Sequence, residues 1–419
     1  MLLNSANPHC VEKIVALSEK EEVIAAEDIV DSRGVKLWAK GKPVSRQLQE
    51  KLLQRKLIRP IEATLTVEKG IEFADVVISC KEAIEASEVL QKLAGSREAL
   101  GIFADHRDFR LPGPVRLLLT AEKEAGGKSY AHCIHVVALC AGLAARLQLP
   151  ARDATTLLVA GLLHDLGEMY VNPEYLRSAY RLAPSEWKHV ATHPRVGQIL
   201  VQELTTLPPA IGLAVLQHHE RLNGSGYPNQ SRGEAISLVS ALLGAADSVA
   251  AIILRGGPGC AYRAGLALRI VPEEFEPAAA QTIVQALQGV ADISPDDGNV
   301  AALGQIESIL GRLDAARVAA QQLLAQRASR FSVEAAASVL AVLGNLTKAV
   351  NATGISGAAS IADIQGDPEL VAEISLIVRE IGWRLRNVSR NVFLQAETES
   401  AAEAARLADL VARLDGPAA

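Results

Sequence analysis

The rhythm of hydrophobic and polar positions changes several times along the chain. From Glu21 to about Val67 short apolar stretches alternate with polar ones, broken by the turn signal Asp31-Ser32-Arg33-Gly34. A helix-like stretch follows from Ser45 to Arg55, just after Pro43, with Ser45 as its expected N-cap. This mixture predicts a small α+β domain over residues 1–70. From Ile71 to Gly113 the pattern is helical and charged, which predicts a connector over 71–113 that ends at Pro112-Gly113-Pro114. Residues 114–290 carry successive apolar helices separated by proline or glycine clusters, and form the expected main domain.

A turn signal, Pro295-Asp296-Asp297-Gly298, opens the alanine-rich remainder, 291–419, which the pattern makes a helical bundle extension. Leu303, Ile306, Leu310 and Leu313 recur in steps of three and four. So do Ile374, Ile377, Ile381, Leu385, Val388 and Val392 on a helix expected to start at Asp367-Pro368, the first as N-cap. Such stripes pack either within the chain or against a protein partner or second copy, and the intramolecular core is the simpler expectation. The fold class is therefore mainly α.

Composition narrows the function classes. Hydrophobic residues make up 49% and charged residues 21%, usual for a globular protein, and 419 residues predict more than one domain. A net charge of -6 lacks the cationic excess that displaces counterions from a phosphate backbone, so duplex nucleic acid is not expected as a partner. The five cysteines are scattered without a CxxC pair, which fits a reducing cytoplasm. The N-terminal residues show neither a basic start followed by an apolar stretch nor a small-residue cleavage site, so export is not expected. The longest apolar run, Leu238 to Leu254, contains Asp247 and is expected to be a buried helix, not a membrane span.

Eight of the nine histidines fall between His106 and His219. Imidazole and carboxylate groups together bind Fe, Mn and Zn ions, and a pair of ions can stabilise both the attacking and the leaving oxygen of a phosphoryl transfer. The chain offers His132 in SYAHCIH, His164-Asp165 in AGLLHDLGE, His193 in ATHPRVG, His218-His219 in LQHHERLNGSGYP and Asp247 in GAADSVAA. Adjacent residues near a helix end point about 100° apart, so His164 can serve one ion while the two oxygens of Asp165 bridge a pair. His9, His106, His135 and His189 are set aside as hydrogen-bonded histidines of the ordinary kind.

The ordered series H…HD…H…HH…D, with HHERLNGSGYP attached, resembles the HD-GYP family over residues 128–275. The stretch between ligands, with a Glu-Trp helix ending in His-Pro-x-x-Gly, is also similar. The resemblance implies an all-helical HD-domain core, two divalent metal ions (Fe or Mn), and hydrolysis of cyclic di-GMP to pGpG or onward to GMP. Carried over by position, His132, His164, Asp165, His193, His218, His219 and Asp247 would be the ligands. Tyr227 and Pro228 would shape the nucleotide pocket, with Arg221, Arg255 and Arg263 as cations for the phosphates.

Two departures bear on catalysis. The family's HDxGK ends here in Glu168, and each unit charge about 6 Å from a phosphate is worth roughly 3 kcal/mol at an effective dielectric near 20. Lys128, in turn, stands where trinuclear members carry a glutamate, one turn before His132. Lys128 is expected either to pair with Glu168 or to supply the missing cation. Asn223, Ala250 and the altered segment Arg255–Arg263 are milder departures. Two readings follow: an active phosphodiesterase for cyclic di-GMP or a related nucleotide, or a catalytically silent receptor that binds metal or nucleotide and a protein partner.

Overall fold

The computed structural model describes residues 5–126, 128–177, 182–257, 259–290, 301–326, 329–352 and 368–416. The chain is mainly helical and divides into two compact units with interleaved segments. The first comprises Met1–Arg181, His189–His219 and Ile236–Ala250; the second comprises Leu182–Lys188, Glu220–Ala235 and Ala251–Ala419.

In the first unit the helix Pro8–Ser18 opens the chain. Asn7 caps it, its Oδ1 accepting from the backbone of His9 and Cys10 at 2.9 and 3.1 Å, and Pro8 supplies a φ already suited to the first turn. Two short antiparallel pairs follow. Val23–Ala25 pairs with Leu65–Val67, and Ile29–Val30 with Lys36–Trp38. The Asp31–Gly34 signal is a turn: Asp31 Oδ1 accepts from Arg33 N and Val35 N at 2.9 Å, and Gly34 takes a φ of 84° that disfavours a side chain. The helix expected over Ser45–Arg55 spans Arg46–Leu53. Ser45 sits at its N-cap position, but its hydroxyl makes no capping bond and is buried without a partner.

The helical part of this unit is built around Lys128–Arg146 and Ala151–Leu163, both densely apolar on the faces they bury. Close backbone approach sets their spacing. At Gly161 an added Cβ would lie 3.1 Å from Cys140 Sγ, and at Gly142 it would lie 2.6 Å from the carbonyl oxygen of Ala94 at the end of Glu88–Ala94.

Among the described residues, Lys128–Arg146, Leu238–Arg255 and Arg330–Asn351 are long and apolar enough to cross a membrane. In these windows 67%, 61% and 33% of positions are buried inside the structure. The first two carry His132 and Asp247.

The second unit is closed by a helical core. Ile309, Leu313, Ala316 and Ala320 of Ala301–Ala325 join Val339, Leu343 and Leu346 of Arg330–Ala352. The stripe Ile374, Ile377, Ile381, Leu385 and Val392 of Pro368–Glu399 is buried in the same cluster, Val388 packs partly buried against it, and Leu407, Leu410 and Leu414 of Ala401–Asp415 complete it. The long helix starts at Pro368. The expected cap Asp367, the turn 295–298 and the side chains of Leu303 and Ile306 lie outside the described residues.

Gly142→Ala is expected to lower unfolding stability by about 1–3 kcal/mol, because the new methyl meets rigid backbone. Urea denaturation of the full chain measures this.

Candidate metal centre

The residues expected to bind metal come from helices and helix ends of the first unit, and the structure brings all seven together. His132 projects from Lys128–Arg146 and Asp247 from Leu238–Arg255. His164 is the C-cap of Ala151–Leu163, with Asp165 next to it, and His218 is the C-cap of Pro209–Gln217, with His219 next. His193 follows the helix Pro184–Ala191 and begins His193–Leu204.

Three of the rings are fixed in the same way. Nδ1 of His164, His193 and His218 bonds to the carbonyl oxygen three residues earlier, on Gly161 (2.9 Å), Val190 (2.8 Å) and Val215 (2.6 Å). A carbonyl only accepts, so each Nδ1 carries a proton, and it is Nε2 that each ring turns toward a cation or a second proton. These Nε2 atoms converge: those of His193 and His218 lie 3.3 Å apart. His164 Nε2 is buried and faces Asp165 Oδ2 at 3.0 Å.

Asp165 joins the two halves of the cluster. Its Oδ1 lies 3.3 and 3.6 Å from Nε2 of His193 and His218, while Oδ2 lies 3.0 and 3.8 Å from Nε2 of His164 and His132. Asp165, His193, His218 and His219 form one group of converging donor atoms; His132, His164 and Asp165 form another. Asp247 spans both, with Oδ1 2.9 Å from His132 Nε2 and Oδ2 3.5 Å from His219 Nδ1. The donor set fits divalent cations of the imidazole-binding type.

The charges interlock accordingly. Burial pulls the pKa of His164 down, but Asp165 and Asp247 override it and raise it to about 9. His193 is raised in the same sense, again against burial, chiefly by Asp165. Burial, with His164 and His193 as neighbours, lowers His218 to about 4. Both carboxyls are held well below the usual range: burial opposes this, and the imidazoles outweigh it. A cation entering the cluster takes over the work of those protons.

The pairing of Lys128 with Glu168, one of the two expected arrangements, is not made. Lys128 is exposed and has no ion pair among the described residues, whereas Glu168 Oε2 accepts from Ser129 Oγ at 2.9 Å. One residue along the helix is a 100° rotation, which turns Ser129 and not Lys128 toward Glu168. Burial, then the charge of Asp165, raises Glu168 to about 7. Ser129 carried no signal in the sequence.

The turn Leu166–Tyr170 continues from Asp165 as a 3-10 helix. Gly167 in it permits a close approach: a Cβ there would lie 2.0 Å from the carbonyl oxygen of His193. The remaining histidines have local roles or neighbours. His106 bonds Ile102 O and Thr155 Oγ1, His135 bonds Ala131 O, and His189 stacks on Tyr175. His9 follows the Asn7 cap.

The residues expected to hold substrate belong to the second unit. Arg221 is buried, its Nε 3.8 Å from Glu274 Oε1 and its guanidinium over the Phe275 ring. Tyr227 packs edge-on against Trp187 and is joined to Pro228 by a cis peptide. Glu220 shapes this loop by accepting from Asn229 N and Ser231 N at 2.7 and 3.0 Å. Arg255 is exposed and Arg263 buried, with Nε unpartnered.

Residues 114–275 match the family model described as "HD domain". The chain is 32% identical over 174 residues to a cyclic di-GMP phosphodiesterase of Pseudomonas aeruginosa, covering 41% of this chain and 42% of that protein. A 3'3'-cGAMP-specific phosphodiesterase of Vibrio cholerae is 30% identical over 155 residues, 37% of this chain and 34% of that one. The cyclic di-GMP phosphodiesterase response regulator RpfG of Xanthomonas campestris is 32% identical over 141 residues, 33% and 36%. The chain thus spans 34–42% of the length of these curated relatives.

Two outcomes are expected of this cluster. Gly167→Ala pushes on the backbone of His193 and should cost about 3 kcal/mol of stability and abolish divalent-metal uptake, read by denaturation and metal analysis. In chelator, Glu168 keeps a proton in the folded state that the unfolded chain releases. The contribution of Glu168 to wild-type stability therefore falls as pH rises from about 4.5 through about 7. Glu168→Gln should escape that fall, equalling the wild type near pH 4 and exceeding it by roughly 1–3 kcal/mol at pH 8 in urea titrations.

Proposed function

We propose that this chain is a metal-dependent phosphodiesterase that hydrolyses cyclic di-GMP to pGpG, GMP or both, in the bacterial cytoplasm. The observation that carries the reading is the pair of donor groups sharing Asp165. A pair of ions, iron or manganese, would be held by His132, His164, Asp165 and Asp247 on one side and by Asp165, His193, His218, His219 and Asp247 on the other. The relatives named as cyclic di-GMP and 3'3'-cGAMP phosphodiesterases support the substrate class.

When bound, the ions supply Lewis-acid stabilisation of an attacking hydroxide and of the leaving sugar oxygen. The chain's own groups set the geometry. Asp165 spans the two donor groups, and the backbone carbonyls of Gly161, Val190 and Val215 hold three imidazoles in the tautomer that offers Nε2. Burial keeps water from screening these charges. Glu168, with a pKa near 7, replaces the family's lysine by a carboxyl that a proton partly neutralises, which blunts repulsion of a phosphate. Tyr227 and Pro228 would shape the nucleotide pocket, and Arg221, Arg255 and Arg263 are its proposed cations. The C-terminal helices are the proposed face for a protein partner or second copy.

A second reading, a silent receptor, is favoured by the engagement of Arg221 with Glu274 and Phe275 and by Glu168 itself. Incubating the iron- or manganese-loaded chain with cyclic di-GMP and 3'3'-cGAMP, and following linear dinucleotide and GMP, separates the two. Turnover of cyclic di-GMP that falls roughly 100-fold or more in Asp165→Asn is the expected result. Binding without product selects the receptor, and neither binding nor product overturns both.

A further inference from the structure

The turn that follows Asp165 is tied to the N-terminal segment by groups that the proposed chemistry does not use. Tyr170, the last residue of Leu166–Tyr170, donates its phenol O–H to Glu62 Oε1 on the short helix Ile61–Thr64. Cys10 Sγ reaches the same oxygen at 3.6 Å. Asn7, whose side-chain oxygen caps Pro8–Ser18, donates with its side-chain nitrogen to the backbone oxygen of Tyr170 at 3.1 Å. Both the side chain and the main chain of Tyr170 are thus held by residues far back in the sequence. Lys13–Glu122, at 2.8 Å and largely shielded from solvent, fixes the same N-terminal helix to Gly113–Glu124.

Glu62 is an expensive choice for a joint. It is 2% exposed, and its Oε2 is buried with no hydrogen-bond partner. A leucine would fill the space without that desolvation cost. What a leucine cannot do is accept a hydrogen bond from a phenol, and so fix the far end of a five-residue turn that begins directly after Asp165.

We infer that Tyr170 is a positioning residue for Asp165, and that the Tyr170–Glu62 bond with the Asn7 clamp couples the N-terminal segment to the metal centre. This rests on the reading of the cluster as a metal centre. A change that withdraws Glu62 or Asn7 releases the 3-10 turn, and with it the carboxylate that both donor groups share.

The test uses the full chain with Tyr170→Phe, Glu62→Leu and Glu62→Gln. Hydrogen–deuterium exchange in chelator reads the turn without metal, and manganous chloride titration reads the centre. Tyr170→Phe and Glu62→Leu should speed exchange of the Leu166–Val171 amides about tenfold, leave Lys128–Arg146 unchanged, and weaken manganese binding about tenfold. Glu62→Gln keeps a carbonyl oxygen for the phenol and should stay within about twofold of wild type. Unchanged exchange in the turn overturns the inference, as does a uniform rise across the unit, which marks a purely structural joint. A wild-type chain that takes up neither manganese nor, in a parallel titration, ferrous iron refutes the metal reading instead, while the exchange comparison still decides whether Tyr170 holds the turn.

Discussion

Two imidazole nitrogens 3.3 Å apart beside a common carboxylate demand positive charge between them, as protons or as a cation. Everything around the cluster maintains that demand. The three clamped histidines stand at or just beyond helix C-termini, where the last carbonyls lack intrahelical partners. Each ring satisfies one such carbonyl and is oriented by it. One bond therefore finishes a helix and fixes a tautomer, and the negative ends of the helix dipoles at Leu163, Ala191 and Gln217 add to the field that favours a cation.

The core serves this convergence through backbone proximity as much as through apolar area. Gly167 lets the turn after Asp165 touch the His193 backbone, and Gly142 and Gly161 let neighbouring helices close on Lys128–Arg146. In the second unit burial also falls on charge. Glu274 lies against both Arg384 and Arg221, Arg384 reaches Glu380 at 3.2 Å, and Phe275 offers its ring face to both guanidinium groups. Such a network stands only because each ion has partners, since a buried charge left alone costs several kcal/mol.

The cluster was legible in the sequence because its chemistry is carried by residue type and order, and imidazoles with carboxylates in that series have few other uses. The long helices were legible from their stripes: Ile374 through Val392 turn inward as their spacing requires. What depended on helical phase or on distant partners was not. Lys128 and Ser129 are neighbours in the chain, yet only the serine faces Glu168. Ser45 occupies the cap position without the bond, because conformation and not residue type decides where its hydroxyl points. Arg221 meets an acid 53 positions on, a pairing that no local pattern encodes.

Asn7 and Pro8 together have a further chemical consequence. An asparagine that both caps a helix and clamps a neighbouring turn is exposed to ageing, since spontaneous loss of its amide nitrogen would turn the donor facing Tyr170 O into an acceptor. That reaction closes a succinimide through the backbone N–H of the next residue. Proline has none. The ring that starts the first helix therefore also makes this clamp chemically durable over the life of the protein.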